Sequence, residues 1–62
     1  MTNLSDKKCA EIVENYLNGN VKDARDSIKK LNKLQAVQFT SRCSYYGLLR
    51  HQGYTLVVTT LE

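Results

Sequence analysis

The chain has no proline or tryptophan, one phenylalanine, one histidine, two cysteines and three glycines in 62 residues. Each shortage excludes something. One histidine and two cysteines, without CxxC or HxxxH spacing, do not supply the converging ligands of a zinc site. The glycines are scattered turn formers and make neither a phosphate loop nor a dinucleotide fingerprint. No apolar run is long enough to span a bilayer, and the polar opening MTNLSDKK has no signal-peptide core, so a cytoplasmic protein without membrane association is expected. Cys9 and Cys43 are too few for the dense disulfide framework of small secreted domains, so reduced thiols are expected. Finally, residues 29 to 50 contain no acid at all.

What is present is the composition of a folded protein: 42% hydrophobic and 24% charged residues. A chain this short forms one domain over residues 1 to 62 and buries only about 60% of its unfolded surface, a marginal core that gains from a partner or from a second copy of itself. The terminal Leu61-Glu62 has the form left by a tag-joining cloning site, and the sequence leaves open whether the two residues are native.

The first helix is marked at both ends. Ser5 is placed to cap it, Asp6 favours the positive end of the dipole, and Leu4 is placed to staple onto Cys9. Cys9, Ile12, Val13, Tyr16 and Leu17 recur at helical spacing as one apolar face, and Asn18-Gly19 stops the run. Asn20 can cap a second helix with a narrower stripe of Val21, Ala24, Ile28 and Leu31, and Asp26 with Lys30 and Lys22 with Asp26 are spaced for ion pairs. So short a turn makes the two helices an antiparallel hairpin.

Asn32 reads as the cap of a third segment, in which Leu34, Val37, Phe39, Cys43 and Tyr46 line an inward face beside Ala36 and Thr40. Gln35, Gln38, Ser41 and Arg42 fall on the other side, and Gly47 ends the segment. VQFTSRCSYY is also rich in β-branched and aromatic residues. A strand there, paired with the tail GYTLVVTTLE across a GLLRHQG loop, is the α+β alternative of two helices and a β-hairpin. In the tail, Tyr54, Val57, Val58 and Leu61 have helical spacing while propensity favours strand.

The layout NGNxxxAxxxIKKLxKL, carried by Asn18-Gly19-Asn20, Ala24 and Ile28 to Leu34, then Tyr46-Gly47 and a final short amphipathic segment, resembles small helical proteins encoded by bacteriophages. That resemblance covers most of the chain and implies a helical tail. The expected fold is therefore all-α, a small domain of three to four helices that starts with the antiparallel hairpin.

Catalysis is not expected. Nothing orients Cys9 or Cys43 toward His51, no third group is evident, and both thiols sit on apolar faces; His51 reads as a solvated residue of a polar connector. The carboxylates lie mostly in the first half among lysines and arginines, and no cofactor is implied.

The charge asymmetry remains. Lys29, Lys30, Lys33, Arg42 and Arg50 carry five bases through a stretch without acids, which attracts an acidic protein surface or nucleic acid. Helix-end electrostatics and solubility account for part of the lysine cluster. Tyr45 and Tyr46 are adjacent and cannot both enter one core, so one of them is expected at the surface close to Arg42, a hot-spot composition. The candidate partner-binding residues are thus Lys29, Lys30, Lys33, Gln38, Arg42, Tyr45, Tyr46 and Arg50. The expected function is that of an accessory or regulatory protein that binds a host protein, and a homodimer would use the same surface. The alternative is a helix-turn-helix-like DNA-binding protein in which the third helix reads the major groove with Gln35, Gln38, Ser41 and Arg42.

Overall fold

A computed structural model describes residues 3–62, so the expected polar opening at Met1 and Thr2 lies outside them. Four helices follow in order: α1 (Asp6–Leu17), α2 (Val21–Lys29), α3 (Lys33–Arg42) and α4 (Arg50–Leu61), with a 3₁₀ turn over Cys43–Tyr46 between the last two. There is no strand among the described residues, so the all-α expectation holds and the β-hairpin alternative falls. No helix among them is long and apolar enough to cross a membrane.

Local chemistry sets most of the boundaries. The Ser5 side chain accepts from the Lys8 amide at 3.1 Å, and Gly19 takes φ 87° where α1 ends. Asn20 stands at the start of α2, but its side chain makes no capping hydrogen bond. The ion pairs among the described residues are Lys8 with Glu11 and Arg42 with Asp6, so the pairs expected around Asp26 do not form. Asn32 closes a full capping box on α3: its Oδ1 accepts from the Gln35 amide at 2.8 Å, and Gln35 Oε1 accepts from the Asn32 amide at 3.0 Å.

The third segment is shorter than expected and is rotated. α3 ends at Arg42, the chain tightens into the 3₁₀ turn, and Gly47 at φ 101° stops it. Phe39, Ala36 and Cys43 are buried, whereas Leu34 and Val37, expected inside, face out, Val37 at 57% exposure. Phe39 sets the rotation. At 3.6 residues per turn Ala36 and Cys43 lie within about 60° of it, Leu34 and Val37 about 140° and 160° away. Burying the largest side chain of the helix therefore turns the two smaller aliphatics outward.

The tail is helical despite its β-branched residues because Leu56 and Val57 pack into the core, and its threonine hydroxyls are satisfied by bonding back along the helix. Thr55 Oγ1 donates to the His51 carbonyl and Thr59 Oγ1 to the Thr55 carbonyl, each at 2.8 Å. The expected connector is partly structural: Leu48 belongs to the core, and Arg50, His51 and Gln52 form the first turn of α4. Gly53 lies inside α4 and is buried, and a Cβ there would overlap Cys43 Sγ. α4 thus buries Gly53, Leu56 and Val57, not the whole expected stripe; Tyr54 at 61% exposure and Leu61 stand outside it. On α1, Leu17 is likewise exposed.

The core joins Leu4, Cys9, Ile12, Val13, Ala24, Ile28, Ala36, Phe39, Cys43, Leu48, Leu56 and Val57, drawn from all four helices and from residues flanking them. It contains no buried charge. Full burial of a side chain such as Ile12, Ile28 or Phe39 contributes about 1.5–3 kcal/mol.

Candidate functional site

Thr40, near the end of α3, lines one hollow with Arg50, His51 and Tyr54 from the start of α4, and Lys33, the first residue of α3, lines the space between the two helices with Leu61, the last of α4. Because each helix buries only one side against the core, the facing flanks leave an apolar groove of about 390 Å³ lined by Val37, Tyr54, Val57, Val58 and Leu61 with Ala36, Thr40 and Lys33. Its floor is fixed by the core residues Ala36 and Val57. An apolar hollow at Leu34 shares Lys33 and Val37 with the groove, and a third hollow at Arg50 and His51 shares Thr40 and Tyr54 with it. Lys33 and Arg50 are exposed, so the surface has an apolar middle and a cation toward each end. No acidic side chain lines any of the three stretches.

The eight residues singled out from sequence separate into three groups. Lys33 and Arg50 flank the groove. Lys29, Lys30 and Tyr45 are exposed and line none of its three stretches; Tyr45 is 81% exposed.

Gln38, Arg42 and Tyr46 instead hold the start of the chain. Gln38 Oε1 accepts from the Leu4 amide at 2.7 Å, Gln38 Nε2 donates to Asn3 Oδ1 at 3.2 Å, and an Arg42 guanidinium nitrogen donates to the Leu4 carbonyl at 2.9 Å. The same guanidinium nitrogen lies 3.8 Å from an Asp6 carboxylate oxygen. The tyrosine near Arg42 is the half-buried Tyr46, whereas Tyr45 is the exposed one, so the residue expected at the surface beside Arg42 is instead partly packed away. Its phenol is held above its usual value, first by partial burial and then by the negative charge of the neighbouring Asp6 carboxylate. These contacts tie residues 3 to 6 onto α3 and the 3₁₀ turn and carry Leu4 into the core.

The side chains expected to read bases are therefore otherwise engaged. Gln35 caps α3, Gln38 and Arg42 hold Asn3 and Leu4, and what α3 turns outward is Lys33, Leu34, Val37 and Ser41. An apolar middle of this kind makes a poor match to a phosphate backbone.

Sequence reasoning missed Val37, Tyr54, Val58 and Leu61 as surface residues because it assigned all four to the core. A signal was available: Gly53, Leu56, Val57 and Thr60 form a second stripe at the same spacing as Tyr54, Val57, Val58 and Leu61. One short helix cannot bury both against the same neighbours.

The thiols are not poised for chemistry. Both are free and buried. Burial and the nearby Cys43 push the Cys9 thiol up to about 11, and burial raises Cys43 as well. Neutral thiols of this kind are weak nucleophiles. No cluster of three or more His, Cys, Asp or Glu side chains that could hold a metal ion occurs among the described residues. Comparison of the chain with protein-family models, curated proteins and solved structures finds no match.

Proposed function

We propose that the protein is a small non-enzymatic accessory module that acts by seating part of another protein in the groove between α3 and α4. If the chain is phage-encoded, that partner is a host protein. One observation carries the reading. Val37, Tyr54 and Leu61 stay substantially exposed along the groove, and Leu34 lines a neighbouring hollow that shares Lys33 and Val37 with it, in a chain so short that each apolar side chain left out of the core is costly. Burying such side chains against a partner recovers that free energy, and Tyr54 in the middle is the type of residue that dominates interfaces.

Affinity capture from the native host with the wild-type chain and with Val37→Glu and Val58→Glu variants tests the proposal. The expected result is a partner held by the wild type and lost by both variants while a Tyr45→Ala variant retains it. Identical recovery by all four chains would refute it.

A further inference from the structure

We infer that the occupant of the groove is a single amphipathic helix bearing acidic side chains about three turns apart; this rests on the proposed function and narrows it. Secondary structure comes first. The groove is walled by two helices whose backbone groups are already paired, so it offers no open strand edge to an extended peptide. A segment entering its apolar middle must satisfy its own backbone hydrogen bonds, and a helix does so. Val37, Tyr54, Val58 and Leu61 then meet apolar side chains at i, i+3 or i+4, and i+7 on the incoming helix.

Charge selects among helices. Lys33 stands at the Leu61 end and Arg50 near the other, separated by roughly the length of α4, about 16 Å at 1.5 Å per residue. With no acid along the lining, nothing in the groove answers those cations. A helix with Glu or Asp about eleven residues apart would answer both, whereas one with Lys or Arg there meets like charge at each end. The same argument disfavours a second copy of this chain: groove against groove would gather two Lys33 and two Arg50 side chains in one interface without a lining acid. Nucleic acid is disfavoured by the apolar middle.

The test uses the full chain and two probes. Both are capped peptides of about sixteen residues with leucines at i, i+3, i+7 on an alanine background, long enough to cover the groove. One carries Glu in its first and last turns and the other Lys at those positions. Titration is followed by peptide fluorescence anisotropy and by amide NMR shifts on the protein.

The Glu peptide is expected to bind about tenfold more tightly than the Lys peptide, given two charge pairs turned from attraction to repulsion. Shifts should concentrate at Val37, Thr40, Tyr54 and Val58. A Lys33→Glu/Arg50→Glu variant should reverse the preference, and Val37→Glu should abolish both interactions without loss of helical circular dichroism.

Equal affinity for the two peptides, shifts elsewhere, or no binding of either would overturn the inference. So would a wild-type dimer in sedimentation that Val37→Glu dissociates, since the occupant would then be a second copy. Failure of the proposed function is separately readable: host capture that depends on Val37 while both peptides fail leaves the groove a partner site and removes only the acidic helix.

Discussion

Gly53 of α4 packs directly against Cys43 of the 3₁₀ turn, with the thiol filling the space that a side chain on residue 53 would need. This approach fixes how deeply α4 sits, and with it which flank of the helix is left for the groove. Gly53→Ala gains up to about 1 kcal/mol of helix propensity but overpacks a site that has no slack, at about 1–3 kcal/mol. The expected net result is a loss of about 1 kcal/mol in urea unfolding. Removing the thiol in a Gly53→Ala/Cys43→Ala double variant should make the alanine at position 53 stabilising relative to Cys43→Ala alone. A fully additive cycle would show that the contact is not what excludes a side chain.

The rotation of α3 separates two substitutions that look alike in the sequence. Val37→Ser should change stability by no more than about 0.5 kcal/mol because the side chain is largely in water. Phe39→Ala, two residues on, should cost about 3–5 kcal/mol, most of what so small a domain has. Denaturant midpoints measured side by side give the answer, and comparable losses would mean the helix is turned differently.

The capping box at α3 gives a third expectation. Asn32→Ala removes the acceptor for the Gln35 amide and should cost about 1 kcal/mol, and Asn32→Asp should restore most of it. Peptide binding to the folded Gln35→Ala variant should match the wild type, because Gln35 holds the helix end and does not line the groove.

Stability should fall at alkaline pH. Cys9 titrates from 9.0 in the unfolded chain to about 11 in the folded one, chiefly through burial and then through the nearby Cys43, and burial moves Cys43 and Tyr46 in the same direction. Between those values the unfolded chain has released protons that the native protein retains, so unfolding is favoured progressively as pH rises. The contribution is intact below pH 9 and disappears toward pH 11. Thermal melts from pH 7 to 11 should show a falling Tm, with a shallower slope in Cys9→Val; a flat profile over that range would contradict the buried neutral thiol.

Much of the architecture was legible because it is written in local chemistry. Ser5, Gly19, Asn32 and Gly47 mark their helix boundaries through side-chain caps or positive φ, features fixed within a few residues. The helical tail was harder, since Thr55 and Thr59 favour strand and only the packing of Leu56 and Val57 into the core overrides them. Helix rotation was not legible. It depends on which of two apolar stripes meets a neighbour, and that was decided by Phe39 on α3 and by the missing side chain of Gly53 on α4, neither visible as periodicity. Of the candidate site, Lys33 and Arg50 came from charge alone. Gln38 and Arg42 were read as polar groups on the far side from Phe39, but at about 100° and 60° from it they lie beside the buried face, and their partner, the backbone of Leu4, lies 34 and 38 residues away in sequence.

Gln38 and Arg42 grip the amide and the carbonyl of Leu4, not its side chain. At residue 4 the clamp therefore recognises backbone and not side chain; there only the fit of the leucine behind it selects the residue. Tolerance to drift should accordingly be uneven over Asn3 to Ser5: residue 3 contributes one replaceable polar contact, residue 4 is restricted to a core-sized aliphatic, and residue 5 to a capping side chain. A library randomised at residues 3 to 5 and selected for folding should return that profile. It would also identify which foreign leader sequences can be joined to this domain without unseating its first core residue.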